Sequence, residues 1–407
     1  MRILVISDLY PPVSFGGYEL ECRTVVDHLR DTHEVHVLTS DRGGAGEEDG
    51  VWRALPYSGT GRRPALLAPV HALRAQHVVR QALARARPEL VFVWNAAAIP
   101  TAAVRIAVDH GAPVVHRLCE RWFAQHLLLA DHFLGRLATR DGGLRGAWGR
   151  VLRVANRHPR LRLDPRAPYA AALSWNSDAL RTSVTVPAFV EPVLERTVHP
   201  ATANAERFAA LARRPTGRPS MIFVGRASQQ KGADVAVRAL GVLERTHGVR
   251  ADLVFAGPCE PAMRARLRAQ ATAAGASGCL EFRGMLAPHA LGGALQAAHV
   301  MVAPSAAEAF GLACVEAAAA RVPVVASRVD GIPEALHEGE HALLFAPGDA
   351  EACAALVAEV LRDDEGTAAR VERAFLRARE LSVERYLARM DGFLADALAA
   401  FGARASR

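Results

Sequence analysis

Lysine is almost absent from this sequence. Lysine and arginine together number 49 among 407 residues, yet Lys231, within GRASQQKG at 225–232, is the single lysine. An ammonium is a compact and mobile point charge, whereas a guanidinium is a planar fork, so the two do not bind the same ligands equally well. Either chance or a specific need for an ammonium placed the lysine there, and the residues around it decide between the two.

The sequence also lacks the signals of several protein classes. No run of about 18 apolar residues occurs, which argues against a membrane-spanning helix. The apolar start is short and Asp8 interrupts it, so a signal peptide is not expected. The six cysteines form no CxxC pair, as zinc and redox motifs would require. We therefore expect a cytoplasmic protein with reduced cysteines, and peripheral contact with the inner face of a membrane stays open.

The charge balance bears on the partners. The formal net charge is +7, which favours anionic ligands or an anionic surface. No run of five or six basic residues and no basic-aromatic motif occurs, so nucleic acid is not an expected partner. An ordinary arginine-rich surface explains the charge equally well.

Strand-like apolar runs alternate with helical segments twice along the chain, first from RILVISDLY and again from SMIFVGR. This alternation predicts an α/β protein with two domains, each a doubly wound parallel sheet. We place the N-terminal domain at 1–195, a linker at 196–219, the C-terminal domain at 220–380 and a final amphipathic helix at 381–407 that returns to the N-terminal domain. The longer stretch 187–219 shows few strand signals.

Residues 120–165 interrupt the first alternation. They mix Trp, Leu, Phe and Arg at roughly helical spacing, which predicts one or two amphipathic helices packed on the domain. A wall for an apolar acceptor, or a patch for a membrane surface, is the alternative.

Loops that follow the carboxyl ends of parallel strands are the usual ligand sites in such sheets. Arg226 lies at the end of the strand SMIFVGR, and Lys231 follows five residues later, before Gly232 and a helix. Two cations beside a helix N-terminus favour a diphosphate ligand. A solvated surface loop is the alternative.

The segment PSAAEAFGLACVEAAAARVPVVAS carries a second set of candidates. Glu308 lies in the loop before a helix, whose free N–H groups at Phe310, Gly311 and Leu312 favour an anion. Glu316 lies farther inside the helix, where a carboxylate can accept hydrogen bonds from a ribose. The pattern predicts a sugar on each side of a diphosphate.

The first alternation of strands and helices, in the N-terminal domain, contains weaker candidates. Gly16 and Gly17, in PPVSFGGYE, precede a helix and allow backbone N–H groups to approach a ligand, although paired glycines often only form a turn. No GxGxxG occurs, so the dinucleotide fingerprint is absent. Asn95 ends the strand ELVFVWN and faces the same group of loops.

The combination of Arg226, Lys231, and Glu308 eight residues before Glu316 resembles the retaining GT-B-fold glycosyltransferases of family four. The similarity extends over much of the chain and includes PPVSFGGYE, HEVHVLT, FVGRASQQKG, VDGIPEAL and LLFAPGD. It implies the GT-B fold, in which two Rossmann-like domains face each other across a cleft. The N-terminal domain would bind the acceptor and the C-terminal domain the nucleotide-sugar donor.

The resemblance also implies roles for individual residues. Arg226 and Lys231 would hold the donor diphosphate, Glu308 would contact hydroxyls of the donor sugar, and Glu316 would hold the ribose. Glu308, Arg226 and Lys231 are the expected catalytic set. Backbone groups of two glycine-containing loops would complete the donor site: Gly16, Gly17, Phe310, Gly311 and Leu312.

One region departs from the family pattern. Many members place a histidine and an acidic residue after the strand that here reads PVVHRLC. This chain has Cys119 and Glu120 at that point, and His116 lies three residues earlier. Either the strand register shifts or the histidine is missing, and we favour the second. Asn95, Cys119 and Glu120 are the acceptor-side candidates, although Cys119 is not expected to be a nucleophile. Asp330 stands where the family commonly has glycine.

We predict a retaining glycosyltransferase that moves a sugar from a nucleoside diphosphate to a hydroxyl of a natural product, a sugar chain or a lipid-linked saccharide. The resemblance implies front-face attack, with the leaving diphosphate helping to deprotonate the acceptor. No cofactor is expected, and the lack of a DxD motif at a strand end predicts that no metal ion is needed. The alternatives are a sugar-nucleotide epimerase or hydrolase on the same architecture, and a non-catalytic nucleotide-sugar binding protein.

Overall fold

The computed structural model describes residues 1–13, 16–57, 62–121, 168–202 and 204–406. The chain divides into two compact units. Unit 1 comprises Met1–Asn176, Leu180–Val198 and Leu387–Arg407, and unit 2 comprises Ser177–Ala179 and His199–Tyr386. Most of the segment 120–165, for which amphipathic helices were predicted, lies outside the described residues.

Unit 1 is built on a sheet that has eight strands in the described part of the chain. The strands are β1 Arg2–Ile6, β2 Glu34–Ser40, β3 Gly46–Glu48, β4 Val51–Leu55, β5 Leu90–Val93, β6 Val114–Leu118, β7 Tyr169–Trp175 and β8 Val190–Thr197. Their order is β3-β4-β2-β1-β5-β6-β7-β8, and β3 pairs antiparallel with β4 whereas the other pairs are parallel. The first described helices are α1 Gly17–Arg30, α2 Arg62–Ala86 and α3 Thr101–Asp109, and α4 Asp178–Ser183 begins at the boundary of the units.

Unit 2 is built on a six-stranded parallel sheet. Its strands are β9 Ser220–Val224, β10 Asp252–Ala256, β11 Leu280–Gly284, β12 Val300–Ala303, β13 Val324–Ser327 and β14 Leu343–Phe345, in the order β11-β10-β9-β12-β13-β14. Its helices are α5 Ala205–Ala209, α6 Ala233–His247, α7 Pro261–Ala273, α8 Pro288–Ala297, α9 Leu312–Ala319, α10 Ile332–Ala335, α11 Ala350–Arg362 and α12 Asp364–Glu380. The two helix-covered, mostly parallel sheets confirm the predicted α/β class.

The central strands of both sheets are apolar at nearly every position. All four residues of β5 are fully buried, and so are the residues of β1 from Ile3 to Ile6. A parallel sheet covered by helices on both faces buries both sets of alternating side chains, which is why these strands read as continuous apolar runs.

The prediction that 187–219 is poor in strands was wrong for its first part. Residues 190–197 form β8, which pairs with β7 at the edge of the unit 1 sheet. An edge strand tolerates both charged side chains and a proline, and the register shifts between Ala171 and Ala172, next to the position of Pro192. The predicted linker at 196–219 therefore begins inside β8, and it also contains α5.

The chain ends in the long helix α13 Val383–Ala405, most of which is assigned to unit 1. Among the described residues, none of the helices combines the length and the apolar character that crossing a membrane requires.

Candidate functional site

The loop that follows β9 is fixed to its neighbours at both ends. At its start, the N–H of Gly225 donates to the carbonyl oxygen of Ala256 at 2.9 Å. At its end, Gly232 has a left-handed φ of 71° and caps α6. A Cβ on Gly232 would lie 1.9 Å from the carbonyl oxygen of Pro304, so only glycine fits where this loop packs on the loop after β12.

This packing brings Lys231 and Glu308 together. The Nζ of Lys231 donates to Oε2 of Glu308 at 2.5 Å, and the two side chains are 34% and 21% exposed. The adjoining backbones are also joined, because the N–H of Ala306 donates to the carbonyl oxygen of Gln230 at 2.8 Å. Two residues predicted for the donor site are therefore direct neighbours.

Asp330 holds the backbone of Glu308 in place. Its Oδ2 accepts a hydrogen bond from the N–H of Glu308 at 3.0 Å, and the next residue, Gly331, donates to the carbonyl oxygen of Glu308 at 3.1 Å. Asp330 adopts a φ of 43°, a conformation that favours glycine or a short polar residue. The departure from glycine at this position thus supplies a side chain that orients Glu308.

The start of α9 presents backbone donors. Gly311, at the N-cap, has a left-handed φ of 99°, and Phe310 is buried and stacks on the ring of His199 at 5.3 Å. The N–H groups of Phe310, Gly311 and Leu312 donate to no acceptor in the described part of the chain. A helix start of this kind favours an anionic ligand.

Glu316 is held by two side chains that the sequence did not predict. Its Oε1 accepts hydrogen bonds from Oγ1 of Thr202 at 2.8 Å and from Nδ2 of Asn204 at 2.9 Å. Burial raises the pKa of Glu316, and these two hydrogen bonds partly oppose the increase. No local motif marks Thr202 or Asn204, which precede the short helix α5.

Arg226 is exposed and stays outside the Lys231–Glu308 pair. Its guanidinium makes no hydrogen bond or ion pair with the described residues. Its side chain is therefore available to a ligand at this end of the sheet.

In unit 1, the structure joins two of the acceptor-side candidates. The Nδ2 of Asn95, at the end of β5, donates to Oε1 of Glu120 at 3.0 Å. At the start of α1, the N–H of Gly16 donates to Oε2 of the buried Glu19 at 2.9 Å. Gly16 and Gly17 are both exposed, and a carboxylate already contacts this loop.

Asp8 is a buried carboxyl that no sequence motif assigns to the site. Its side chain is 2% exposed, and its Oδ2 accepts a hydrogen bond from the N–H of Ala98 at 3.0 Å. Burial, helped by the negative charges of Glu120 and Glu19, raises the pKa of Asp8 to about 7. The available signal was its position as an acidic residue two positions beyond the end of β1, after Ser7.

His116 lies inside β6, as predicted, and Cys119 follows the strand. Val93 and Leu173 flank His116 on the two neighbouring strands, and burial lowers the pKa of this histidine to about 3. Burial raises the pKa of Cys119 well above its ordinary value, so its sulfur stays a thiol and is a poor nucleophile.

A metal-ligating cluster occurs elsewhere in unit 2. Among the residues that the structure describes, His337, Glu340 and His341 bring three potential ligand atoms within 4.8 Å of one another. They follow α10, in the turn that begins at the 3-10 helix His337–Gly339.

Part of the chain is similar in sequence to known proteins. Residues 205–377 match the family model described as "Glycosyl transferases group 1". Glycogen synthase from Mycobacterium tuberculosis is 38% identical over 172 residues, which cover 42% of this chain but only 41% of that enzyme. D-inositol 3-phosphate glycosyltransferase from an Arthrobacter species is 28% identical over 295 residues, covering 70% of this chain and 67% of that one. Residues 205–377 are thus similar to a group 1 glycosyl transferase domain, and the 38% identical relative is matched over less than half of its length.

Solved structures identify the fold of the chain. Sucrose-phosphate synthase from Thermosynechococcus elongatus matches with a TM-score of 0.70 at 19% identity, over 98% of this chain and 100% of that one. HepE from Anabaena, in complex with UDP and glucose, matches with a TM-score of 0.67 at 19% identity, over 97% and 99% of the two chains. The chain has the GT-B fold, as predicted.

Proposed function

We propose that the protein is a retaining glycosyltransferase that moves a sugar from a nucleoside-diphosphate donor to a hydroxyl of an acceptor. The observation that supports this most strongly is the contact between Lys231 and Glu308, next in sequence to the free N–H groups at the start of α9. A cation with backbone donors suits a diphosphate, and a carboxylate suits the hydroxyls of a sugar. Both lie in the domain that matches the group 1 model.

Lys231 is the proposed ligand of the leaving diphosphate. An ammonium has three donors, and one of them is directed at Glu308, so the other two are available for phosphate oxygens. As the bond to the donor sugar breaks, negative charge grows on the phosphate, and a preorganised cation stabilises that charge. Arg226 and the N–H groups of Phe310, Gly311 and Leu312 add to the same effect.

The two glutamates take different parts of the donor in this proposal. Oε2 of Glu308 contacts Lys231, which leaves Oε1 for a hydroxyl of the donor sugar. Oε1 of Glu316 accepts from Thr202 and Asn204, which leaves its Oε2 for the ribose. These internal hydrogen bonds orient each carboxylate before the donor binds.

The acceptor is proposed to bind unit 1, at Asn95 and Glu120. The named relatives are a glycogen synthase and a D-inositol 3-phosphate glycosyltransferase, so sugar chains and polyols are the first acceptor classes to consider. In the retaining reaction, the acceptor hydroxyl attacks the face that the diphosphate leaves. The hydroxyl proton passes to a diphosphate oxygen, and no metal ion is required.

Donor binding is the first test. Thermal unfolding with UDP, GDP, ADP and TDP should show a rise in Tm for at least one of them, because a ligand of the folded state stabilises it. The selected sugar nucleotide is then incubated with neutral sugars and polyols, and the anomeric configuration of the product is determined by NMR. Release of an epimerised sugar nucleotide without any acceptor, or binding without turnover, would contradict the proposal.

A further inference from the structure

We propose that Glu120 and Asn95 bind an uncharged, polyhydroxylated acceptor, and that Asp8 is a positioning residue whose neutral form this ligand requires. The inference deepens the proposed function and rests on it. It names the chemical class of the acceptor at this place in unit 1, and it adds a residue that no motif identified.

Asp8 lies at the carboxyl-terminal ends of the central strands β1 and β5. Its N–H donates to the carbonyl oxygen of Asn95 at 2.7 Å, and its Oδ2 accepts from the N–H of Ala98. Its Oδ1 is buried and meets no hydrogen-bond donor among the described residues. An ionised carboxylate buried in this way is costly, whereas a proton on Oδ1 removes the charge.

The groups that face Asp8 make ionisation still less favourable. The charges that raise its pKa are those of Glu120 and Glu19, and both are negative. The other titratable neighbours are the hydroxyl of Tyr18 and the thiol of Cys22, and burial raises the pKa of each. A phosphate placed on the carboxylate of Glu120 would be repelled by its negative charge.

Glu120 offers what an uncharged polyol needs. Its side chain is half-buried, its Oε1 is fixed by Asn95, and its Oε2 remains for a hydroxyl. Gly16 and Gly17, which are exposed and lack side chains, belong to the loop before Tyr18. Carboxylate oxygens accept hydrogen bonds from neutral hydroxyls without charge repulsion, which favours a sugar or polyol ring.

Binding and protonation are coupled through water. A ligand that covers Glu120 removes water from the cluster, and an ionised Asp8 would then be a second buried, unpaired charge beside it. The ligand consequently favours the protein with neutral Asp8. If only that form binds, the affinity falls roughly tenfold between about pH 6 and about pH 8.

Saturation-transfer NMR on the full chain tests the inference with defined probes: glycerol, myo-inositol, glucose, maltotriose and glucose 6-phosphate. We expect at least one neutral probe to bind, and glucose 6-phosphate to bind more weakly than glucose. The saturation-transfer signal of the neutral probe should decrease as the pH rises through about 7. Glu120→Ala should abolish the signal. Asp8→Asn, an isosteric and permanently neutral side chain, should keep the signal and remove its pH dependence.

The exposed carboxyl of Asp27 gives a matched control, and Asp27→Asn should keep the wild-type pH profile. Binding of the nucleoside diphosphate to unit 2 is measured in every variant, which shows that the variant is folded and tests the proposed function separately. Failure of all neutral probes, preference for glucose 6-phosphate, or an unchanged pH profile in Asp8→Asn would each overturn the inference. Loss of nucleotide binding in the wild type would instead overturn the proposed function.

Discussion

Lys231 is oriented by the protein before any ligand arrives. Its Nζ lies 2.5 Å from Oε2 of Glu308, and its N–H donates to Oγ of Ser228 at 3.3 Å. A guanidinium at this position would be longer and planar, and it would meet Glu308 in a different geometry. The isolation of this lysine in an arginine-rich chain thus has a structural counterpart in the short ammonium–carboxylate contact.

Removing the ammonium should weaken donor binding. We expect Lys231→Ala to lower the affinity for the selected nucleoside diphosphate by about one to two orders of magnitude, because a hydrogen bond to a charged group contributes about 1.5–3 kcal/mol. Lys231→Arg should restore only part of the loss. Isothermal calorimetry provides the measurement. Arg238→Ala, which removes an exposed arginine of the same unit, is the matched control, and wild-type affinity in Lys231→Ala would exclude Lys231 from the donor site.

Replacing Glu308 and replacing Glu316 should affect turnover and nucleotide affinity differently. Glu308→Ala should lower turnover more than it lowers affinity for the free diphosphate, because Glu308 is proposed to contact the donor sugar. Glu316→Ala should weaken binding of the free diphosphate through the ribose. It should also lower the free energy of unfolding by about 1–3 kcal/mol, because the donors of Thr202 and Asn204 lose their acceptor. Calorimetry and urea unfolding measure the two effects, and equal affinity losses would contradict the division of roles.

Asp8 should make the folded protein less stable as the pH rises. Burial raises its pKa from 3.8 to about 7, so the folded protein keeps a proton that the unfolded chain releases in this range. The stability contributed by neutral Asp8 is complete below the unfolded pKa and is lost as the pH increases to about 7. Asp8→Asn cannot ionise, and it should therefore exceed the wild type in stability at about pH 8 by up to about 4 kcal/mol.

Thermal unfolding at about pH 4.5 and about pH 8 measures this difference, which should shrink at the lower pH. Asp27→Asn, at an exposed carboxyl, should show no comparable gain. If Asp8→Asn and the wild type differ in stability by the same amount at both pH values, Asp8 is ionised in the folded protein at both.

At the scale of elements, the loop between β9 and α6 depends on one glycine. Gly232→Ala places a Cβ 1.9 Å from the carbonyl oxygen of Pro304 at a left-handed φ of 71°. We expect a loss of at least about 1–2 kcal/mol in the free energy of unfolding from the left-handed conformation alone, with weaker diphosphate binding because Lys231 is displaced. Gly392→Ala, within α13 and with no atom within 4 Å of the new Cβ, should instead stabilise by roughly 0.5–1 kcal/mol. Equal stability of the two variants in urea would contradict this account.

The buried strands could be predicted from sequence because parallel pairing buries both faces. Runs such as RILVI and SMIFV are apolar throughout and stand next to helical segments, which identifies β1 and β9. The edge strands lack this signal, since β8 carries Glu, Pro and Arg, and β3 is three residues long. Their pairing depends on neighbours distant in sequence, which composition does not show.

The candidate site could be predicted where its residues lie in one local motif. Lys231 and Glu308 follow strand ends, and parallel strands place such ends together. Thr202 and Asn204 reach Glu316 from 114 and 112 residues away, so no local spacing connects them. Asp8 was visible only as a polar residue beyond a strand, and its raised pKa depends on burial, which only the folded unit reveals.

At the scale of the whole molecule, the two units present charges of opposite sign at their candidate sites. Unit 2 offers Arg226 and the helix start at Leu312, with Lys231 paired to Glu308. Unit 1 offers the carboxylate of Glu120, near Asp8, which is neutral in the form proposed to bind the acceptor. A phosphate-rich donor suits the first set and an uncharged acceptor suits the second. The proposed division between donor and acceptor is therefore consistent with the charges of the two candidate sites.

The same division governs the expected response of turnover to metal ions. Many transferases neutralise the leaving diphosphate with a divalent ion held by carboxylates, which acts as a Lewis acid. Here Arg226, Lys231 and the N–H groups at the start of α9 supply positive charge, and the nearest carboxylate, that of Glu308, is already bound to Lys231. Excess EDTA should therefore leave most of the initial rate of sugar transfer intact. Added magnesium should not raise this rate, because the magnesium ion competes with Arg226 and Lys231 for the phosphate oxygens. His341→Ala, assayed with and without EDTA, separates any effect of the His337–Glu340–His341 cluster from that of the donor site. A rate that EDTA abolishes and manganese restores, in both the wild type and His341→Ala, would show that a metal ion neutralises the diphosphate.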